Sequence, residues 1–447
     1  MKAFKAYDIR GVYNSDFNKE DVYKVGFFLP QLLNTKKILV GRDARVSSPE
    51  IYEYLCKGIN DAGADVWDAG LTTTPMIYWG SGKFEFEASV MITASHNPAR
   101  YNGLKISGKH VKPIGYDTGL SDLEKMMNTL EVNPIGPEGI IKAFDFKEEY
   151  LKFQLSYLKD ISNLNIALDV SNGMAGMFIK DILGNQPHYI FDDIDCTFPH
   201  HEANPLEPEN IVDLQKLVKE TKADVGVIFD GDADRVMFVD ENSRFISPDL
   251  IIALLGHHFL EDAKPGTRVL QDIRTSKAVG EYLSQYKVEM HMWRVGRAFA
   301  ALKLKEIDGL FGGELAGHYY FKDFYYSDSG LLAAILVLNI VSEMKKKGLS
   351  LSQLISRIET YQNSGEINFK IERKAEAMEA VKNYYFEQAE PDAFFDFDGY
   401  RLEYPDWWLN IRPSNTEPYL RFLAEAKTKE QLDEVVNKCK EIIQSFA

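Results

Sequence analysis

The chain has 447 residues, 45% hydrophobic and 26% charged, a length and composition typical of a globular protein with several domains. Lysine and arginine total 51 against 67 acidic residues, and this negative balance disfavours nucleic acid as a partner. Three cysteines far apart in sequence argue against a disulfide framework and favour a reducing compartment. The start, MKAFKAYDIRG, lacks a signal peptide's apolar region, and no segment approaches ~20 unbroken apolar residues. We therefore expect a cytoplasmic protein with no membrane partner.

Short apolar or β-branched segments alternate with helical patterns along most of the chain. The predicted strands are, in chain order, residues 36–40, 88–93, 165–170, 224–229 and 268–273. This alternation is the βαβ signature of mixed or parallel sheets. The last part differs, because it reads as a strand (366–371), a helix (374–387), several short strands and an amphipathic helix (429–443). That order is typical of an α+β domain.

Turn-forming stretches near residues 140, 247 and 363 divide the chain into four predicted domains. Their bounds are 1–140, 141–247, 248–362 and 363–447. In each of the first three domains a strand runs into a polar turn: VMIT into ASHNP, VIF into DGDADR, and GLF into GGELAGH. We name these turns the serine loop (93–98), the aspartate loop (229–235) and the glutamate loop (312–318). Ligands of open α/β sheets bind beyond the strands' carboxyl ends, so the chemistry is expected here.

The aspartate loop, FDGDADR, places Asp230, Asp232 and Asp234 at alternate positions after an apolar strand. Three carboxylates this close repel one another unless a cation neutralises them, and oxygen ligands suit Mg2+ or Ca2+. An EF-hand loop is rejected, because Arg235 stands where that loop needs glycine and both flanks read as strands. The pattern therefore predicts a metal site that also touches a phosphate, because Arg235 can take phosphoryl oxygens that the metal leaves free. An exposed acidic turn is the alternative.

The serine loop, TASHNP, sets Ser95 between an apolar strand and an Asn-Pro turn. Taken alone, this motif is typical of a turn hydroxyl or a helix cap. No GxSxG elbow surrounds Ser95 and no Asp-His arrangement is legible, so a hydrolase triad has little support. Beside a metal site, however, a serine at a strand end is a candidate phosphoryl carrier, because the metal can neutralise charge during transfer.

The glutamate loop, GGELAGH, offers a carboxylate and an imidazole on a glycine-rich turn. Glu314 is a natural acceptor for vicinal sugar hydroxyls, whereas a lone histidine such as His318 is more often structural. Gly312, Gly313 and Gly317 would permit close approach of the backbone to a ligand. The loop is therefore a candidate sugar-binding segment.

A fourth segment, RPSNTEPYLR (residues 412–421), which we name the arginine loop, combines cations with short polar side chains. Its candidate ligand-binding residues are Arg412, Ser414, Asn415, Thr416 and Arg421. Arginine recognises phosphate bidentately. The loop is therefore a local basic pocket in an otherwise acidic protein, with a capped turn as the alternative.

Taken in order, AYDIRG (6–11), TASHNP, YNGLKI (101–106), DGDADR, GGELAGH and RPSNTEP resemble the α-D-phosphohexomutase family, specifically its bacterial phosphomannomutase/phosphoglucomutase branch. The motifs span nearly the whole chain in family order. The resemblance implies an α/β fold in which three topologically similar mixed α/β domains and a smaller α+β C-terminal cap domain surround a central cleft. Each domain would give one loop to that cleft.

The resemblance also implies a role for each matched residue. Ser95 would be the phosphoserine, and its phosphate would hold Mg2+ together with Asp230, Asp232 and Asp234. The residues around the transferring phosphoryl group would be Tyr7, Arg10, His96, Lys105 and Arg235. Those near the sugar would be Glu314, Arg294 and, as a candidate proton acceptor, His318. Those that grip the non-reacting phosphate would be Arg412, Ser414, Asn415, Thr416 and Arg421.

One position departs from the family pattern. The family's usual serine two positions after the glutamate is Ala316 here, so one sugar-hydroxyl contact is missing or replaced.

The activity implied by the resemblance moves phosphate between O6 and O1 of a hexose. Phosphorylated Ser95 gives its phosphoryl group to a hexose monophosphate, and the 1,6-bisphosphate turns end for end and returns its other phosphate. Mg2+ and hexose 1,6-bisphosphate would be the cofactors, and mannose and glucose phosphates the substrates. The choice between these sugars stays open, because one epimeric hydroxyl can be accommodated without any motif changing.

Three alternatives to this activity remain: a phosphoglucosamine mutase, a non-catalytic phosphosugar-binding regulator on the same fold, and a calcium-dependent structural protein. Ser95 and the three aspartates argue against the regulator, and the glycine missing from the aspartate loop argues against the calcium protein. The sequence does not indicate the oligomeric state.

Overall fold

The computed structural model describes residues 1–414 and 418–446. Its first domain folds around a seven-stranded sheet. Its strands are β1 (Ile9–Val12), β2 (Lys37–Arg42), β3 (Asp65–Leu71), β4 (Ala88–Ile92), β5 (Tyr101–Gly108), β6 (Lys112–Pro113) and β7 (Ile141–Ala143). Its helices are α1 (Lys19–Leu33), α2 (Ser48–Asp61), α3 (Thr74–Lys83) and α4 (Leu120–Thr129). A capping box of Asn18 and Asp21 starts α1 and satisfies main-chain N–H groups at the beginning of the helix. Strand β7 pairs with β3 and so belongs to this sheet, although the predicted boundary at residue 140 leaves it outside.

The second domain has a five-stranded sheet. Its strands are β8 (Ile166–Asp169), β9 (His188–Ile190), β10 (Val225–Phe229), β11 (Val236–Asp240) and β12 (Phe245–Ile246). Its helices are α5 (Lys147–Leu155), α6 (Ile179–Leu183) and α7 (Val212–Thr221). Every residue of β10 is buried, as a continuous apolar run in a central strand requires.

The third domain also has a five-stranded sheet. Its strands are β13 (Arg268–Asp272), β14 (Glu289–Trp293), β15 (Phe311–Gly313), β16 (Tyr319–Phe321) and β17 (Ser327–Asp328). Its helices are α8 (Leu250–Phe259), α9 (Lys277–Leu283), α10 (Arg297–Glu306), α11 (Gly330–Lys346) and α12 (Leu351–Ile358).

The glutamate loop begins later than the sequence predicts. Gly312 and Gly313 lie in β15, where a Cβ would come within 2.7 Å of Leu270 and 2.8 Å of Ile252, respectively. These two glycines therefore serve strand packing, which corrects their predicted place in the turn. Only Gly317, with φ +85, lies in the turn and needs the left-handed region.

The first three sheets share one strand order around their functional loops. The corresponding strands run β5-β4-β2-β3, β11-β10-β8-β9 and β16-β15-β13-β14. In each sheet the functional loop leaves a strand of the parallel part (β4, β10 or β15) and enters its antiparallel neighbour. The serine, aspartate and glutamate loops therefore occupy equivalent topological positions, which confirms the three similar mixed α/β domains.

The fourth domain, the cap, is an antiparallel sheet with two helices. Its strands are β18 (Gln362–Asn363), β19 (Ile367–Phe369), β20 (Ala393–Phe395), β21 (Tyr400–Glu403), β22 (Trp407–Pro413) and β23 (Leu420–Ala426). Its helices are α13 (Lys374–Gln388) and α14 (Lys429–Gln444). Strand β18 pairs with β23, so the cap sheet begins one residue before the predicted boundary at 363. The α+β character of this domain is as predicted.

The hydrophobic core joins the first three domains and leaves the cap with a core of its own. One cluster of buried side chains runs from Leu39 in the first domain to Ile358 in the third. A separate cluster lies inside the cap. Polar contacts link the cap to the third domain: Arg401 donates to the carbonyls of Ile273 at 2.7 Å and Thr275 at 2.6 Å. Throughout the described ranges, each helix is too short or too polar to cross a bilayer.

Candidate active site

Ser95 lies where the chain leaves β4, with its backbone in the left-handed region at φ 54. This conformation is costly for a residue with a Cβ and persists only where the surroundings hold it. The residue is 3% exposed. Its Oγ donates to Asp230 Oδ2 at 3.0 Å and lies 3.2 Å from His96 Nδ1. The serine of the first domain therefore meets the aspartate loop of the second.

Arg45, which sequence reasoning missed, holds the serine loop in place. Its side chain is 1% exposed, and its guanidinium donates to one carboxylate and four main-chain carbonyls. These acceptors are Asp43 Oδ2 (3.1 Å) and the oxygens of Ser95 (2.8 Å), Asn97 (2.7 Å), Pro98 (2.9 Å) and Tyr101 (3.1 Å). Charge-assisted bonds of this kind are stronger than neutral ones, so one buried side chain fixes the backbone that carries Ser95.

The three carboxylates of the aspartate loop are fully buried, and their oxygens lie within 4.8 Å of one another. Lys105 Nζ lies 2.6 Å from Asp232 Oδ2 and 2.5 Å from Asp234 Oδ2, and Arg235 Nε lies 3.1 Å from Asp230 Oδ2. Burial, followed by the charges of Asp234 and Asp232, raises the pKa of Asp230 to about 8. Three carboxylates with only two cations beside them therefore resist full ionisation, and a bound divalent cation would favour the charged form of the third.

The same carboxylates fit a hard divalent cation. Asp232 Oδ1 and Asp234 Oδ1 are buried and accept no hydrogen bond from any described residue, which is costly for a charged oxygen. The donor set is made of oxygen atoms, as Mg2+ and Ca2+ require. A metal at this point would also lie next to Ser95 Oγ.

Two neighbouring domains hold the aspartate loop. Thr74, at the start of α3, donates from Oγ1 to Asp232 Oδ2 at 2.5 Å and from its main-chain nitrogen to the Asp232 carbonyl at 3.1 Å. Gly330, at the start of α11, donates its N–H to the Ala233 carbonyl at 3.1 Å. The candidate metal ligands are therefore placed by the first and third domains as well as by their own.

Arg10 and His96 lie beside the serine. Arg10 Nη1 donates to Asn97 Oδ1 at 2.9 Å, and its guanidinium also pairs with Asp8. Burial, followed by the charge of Arg235, lowers the pKa of His96 well below its ordinary value, so this ring is neutral. The cations around Ser95 suit an anionic group on its Oγ.

Tyr7 and Arg294 lie together at the loop that follows β14, and Tyr7 is directed toward the third domain. Tyr7 OH donates to the Val295 carbonyl at 3.0 Å, and its ring meets Phe299 edge-on at 5.6 Å. The Arg294 guanidinium lies over the same Phe299 ring at 4.0 Å. These contacts join the first domain to the predicted sugar-binding side.

Glu314 is 1% exposed and is held at both oxygens. Its Oε1 accepts the Gly296 N–H at 2.6 Å and its Oε2 accepts the Tyr320 hydroxyl at 2.6 Å. A carboxylate oxygen has more than one lone pair, so both oxygens keep acceptor capacity for a ligand. Ala316 follows in the half-exposed turn and offers a methyl group where a serine would offer a hydroxyl.

His318 pairs with Asp328, a second residue that sequence reasoning missed. Its Nδ1 lies 2.7 Å from Asp328 Oδ2 and 3.8 Å from Asp234 Oδ1. Burial acts to lower the pKa of His318, but these two carboxylates raise it above its ordinary value. The protonated ring therefore persists to a higher pH than in an unperturbed histidine. It can give a proton, whereas the predicted role as proton acceptor requires the neutral ring.

Arg297, also unpredicted, completes this corner of the site. Its Nε donates to Asp328 Oδ1 at 3.0 Å, and its guanidinium lies 3.7 Å over the ring of Tyr78 from the first domain. Its Nη2 is buried and has no hydrogen-bond partner among the described residues. Arg297 therefore adds a cation where the first and third domains meet.

Arg412, the first residue of the arginine loop, is a buried cation of the cap. Arg412 is 4% exposed, and its Nε and Nη1 make no hydrogen bond within the described part of the chain. Burial, followed by the charge of Arg274, lowers the pKa of Arg412. Arg274 was not predicted and is itself buried against Asp272 at 2.7 Å. Arg421 lies 3.0 Å from Glu366.

Two kinds of outcome hold for the other residues predicted to grip the non-reacting phosphate. Ser414 donates its N–H to the Tyr419 carbonyl at 2.9 Å, whereas Asn415 and Thr416 lie outside the described residues. The sequence signal for Arg274 was weak, because it stands in a strand-to-helix turn with no neighbouring motif.

A buried serine lies against metal-fitting carboxylates and near Lys105 and Arg235, and further arginines are buried at Arg274 and Arg412. This arrangement suits phosphoryl transfer. Four family models match the chain in order: phosphoglucomutase/phosphomannomutase alpha/beta/alpha domain I over residues 1–133, domain II over 146–243, domain III over 247–361 and the C-terminal domain over 366–442. The chain belongs to the phosphoglucomutase/phosphomannomutase family.

Individual relatives agree with this assignment. The chain is 34% identical to a phosphomannomutase of Methanocaldococcus jannaschii, across 99% of this chain and 98% of that protein. It is 33% identical to a phosphomannomutase of Escherichia coli, across 96% and 95%. A crystal structure of a phosphoglucomutase/phosphomannomutase family protein from Burkholderia thailandensis matches with a TM-score of 0.88 at 26% identity, covering 99% of this chain and 97% of that one. The predictions of family, fold and an enzyme of the mutase type are confirmed.

Proposed function

We propose that the protein moves phosphate between O6 and O1 of mannose phosphates, and of glucose phosphates, through phosphoserine at Ser95 and a hexose 1,6-bisphosphate. The observation that carries this proposal is the contact of Ser95 Oγ with Asp230 at 3.0 Å inside a buried, cation-lined site. The names of the two relatives, both phosphomannomutases, support mannose as a substrate.

Asp230, Asp232 and Asp234 would hold Mg2+ together with the phosphate on Ser95. The bound ion supplies neutralisation of the phosphoryl charge during transfer. The oxygen donor set and the two unpartnered carboxylate oxygens support this assignment.

The chain's own residues act on the transferring group as fixed charges. Arg10, Lys105 and Arg235 surround it with positive charge that needs no reorganisation during the reaction. In the first half-reaction the Oγ–P bond of phosphoserine breaks and a bond forms from phosphorus to the oxygen of the free sugar hydroxyl. The proton that this hydroxyl loses is balanced by the proton that Ser95 Oγ gains when its hydroxyl is restored. The second half-reaction reverses these changes at the other end of the bisphosphate and restores phosphoserine.

The glutamate and arginine loops would orient the substrate. Glu314 accepts vicinal sugar hydroxyls, with Arg294 nearby. Arg412, Arg421 and the loop residues Ser414, Asn415 and Thr416 hold the non-reacting phosphate. Because substrate and product present this phosphate to one pocket in opposite sugar orientations, the pocket must accept both the 1-phosphate and the 6-phosphate.

A comparison of sugars tests this proposal. Turnover of mannose, glucose and N-acetylglucosamine 1-phosphates is measured with Mg2+ and catalytic hexose 1,6-bisphosphate. We expect the highest kcat/KM for mannose or glucose. A preference for N-acetylglucosamine would favour the phosphoglucosamine mutase alternative, and no turnover above that of Ser95→Ala with any sugar would refute the function.

A further inference from the structure

A turn of the cap, residues 396–399, docks on the loop that follows β14 in the third domain. We name it the cap turn. The rings of Phe397 and Trp293 stack at 5.4 Å. Next to them, Asp398 Oδ2 accepts the main-chain N–H of Val295 at 2.8 Å. At this turn the cap therefore contacts the third domain through a ring stack and one hydrogen bond from a peptide N–H to a carboxylate.

The main chain that Asp398 holds continues directly to a hydrogen-bond donor of Glu314, the carboxylate predicted to bind the sugar. The next N–H along the chain, that of Gly296, donates to Glu314 Oε1 at 2.6 Å. The Val295 carbonyl accepts the hydroxyl of Tyr7 at 3.0 Å. A shift of this peptide would therefore move a partner of Glu314 and break a contact with the first domain.

The other oxygen of Asp398 faces Arg412. We call the residues proposed to hold the non-reacting phosphate (Arg412, Ser414, Asn415, Thr416 and Arg421) the phosphate clamp. Asp398 Oδ1 lies 3.9 Å from Arg412 Nη1, a distance too long for a hydrogen bond but short enough for electrostatic attraction. At Gly399 a Cβ would collide with the Arg412 side chain, and φ is +73, so the cap turn packs closely on Arg412. Because Arg412 Nε and Nη1 form no hydrogen bond with described residues, they stay free to donate to a phosphate.

From these contacts we propose that Asp398 is a positioning residue that couples the phosphate clamp to the sugar side of the site. The proposal rests on the proposed function. The carboxylate has two separable effects. Its oxygen fixes the Arg294–Val295 peptide and, through the Val295–Gly296 peptide that follows it, a hydrogen-bond donor to Glu314. Its negative charge offsets part of the positive charge of Arg412, so that the non-reacting phosphate is held loosely enough to leave the pocket when the bisphosphate turns.

Two substitutions separate these effects. Asp398→Asn keeps an acceptor oxygen for the Val295 N–H but removes the charge. Asp398→Ala removes both. Binding is measured by calorimetry with mannose 6-phosphate in a Ser95→Ala background, where no phosphoryl transfer occurs. Turnover is measured with Ser95 present, and thermal melting reports folding.

Asp398→Asn should lower the Kd for mannose 6-phosphate by about three- to tenfold, because it removes a charge that repels the phosphate. In Asp398→Ala the displaced Glu314 should offset part of this gain. Only Asp398→Ala should lose kcat, by at least about tenfold, because Glu314 is then misplaced. Asp398→Asn should keep kcat within about threefold of wild type. Asp396→Asn removes a charge from an exposed position of the same turn and is the matched control, with Kd and kcat within about twofold of wild type.

Equal kcat in Asp398→Asn and Asp398→Ala would overturn the positioning role. An unchanged or higher Kd in Asp398→Asn would overturn the electrostatic role. If Asp398→Ala does not fold, the Kd of Asp398→Asn still decides, because that variant keeps the acceptor oxygen. A wild-type enzyme inactive on every hexose phosphate would instead count against the proposed function, and the binding measurements would still test the effect of the Asp398 charge.

Discussion

Replacing Arg45 should both destabilise the first domain and slow the reaction. The Arg45 guanidinium makes five hydrogen bonds, four of them to carbonyls of residues 95–101. Removing one partner of a buried ion pair costs about 3–5 kcal/mol, because the other charge stays buried and unpaired. Asp43, 2% exposed, is that other charge. We therefore expect Arg45→Met to lower the free energy of unfolding by about 3–5 kcal/mol.

The effect on activity follows from the position of Ser95. Its left-handed backbone is held by bonds that Arg45→Met removes, and a misplacement of about 1 Å in a reacting group costs on the order of 100-fold in rate. Arg45→Lys should fall between wild type and Arg45→Met, because an ammonium has three donors for five acceptors.

Urea unfolding and steady-state turnover measure the two effects, with turnover assayed well below the unfolding transition. Arg100→Met is the matched control, because Arg100 is an exposed arginine of the neighbouring turn, and it should change stability by less than about 0.5 kcal/mol. Stability of Arg45→Met within about 1 kcal/mol of wild type, with kcat within about threefold, would refute the reasoning.

Three further results are expected. Chelation should abolish turnover and Mg2+ should restore it, whereas equal turnover with Ca2+ would contradict a tightly coordinated site. Ala316→Ser should raise kcat/KM several-fold for at least one sugar, since a hydrogen bond contributes about 1 kcal/mol; no gain with any sugar would mean that another group fills the role. Burial, followed by the charge of Asp249, raises the pKa of Glu425 from 4.5 to about 7. The folded protein then binds a proton that the unfolded chain releases, so stability should fall as pH rises from 4.5 to about 7. Urea titrations of Glu425→Gln should show a flatter slope there, and an unchanged slope would contradict the assignment.

Buried strands were predictable because they are continuous apolar segments bounded by polar turns. The predicted strand 224–229 is β10 (Val225–Phe229), and the predicted strand 88–93 is β4 (Ala88–Ile92). Buried parallel strands have no polar face to interrupt the run. The glycine pair at 312–313 was misread, because the side chains of Leu270 and Ile252 that exclude a Cβ there are distant in sequence.

The site was only partly predictable, for a related reason. Asp230, Asp232 and Asp234 carry their signal in a single turn. Arg45 acts on carbonyl groups 50 to 56 residues away, and Asp398 on an N–H 103 residues away. Nearly every residue type carries the same main-chain N–H and C=O groups, so a side chain that binds them has no recognisable partner in the sequence.

The most direct test of the account is whether Ser95 carries and returns a phosphoryl group. Wild type and Ser95→Ala are incubated with Mg2+ and glucose 1,6-bisphosphate, and intact mass is recorded before and after addition of mannose 6-phosphate. We predict that wild type gains one phosphoryl group on Ser95 and loses it to the added sugar, whereas Ser95→Ala gains none and has no mutase activity. Near wild-type turnover by folded Ser95→Ala, or a phosphoryl group on another residue, would contradict the account.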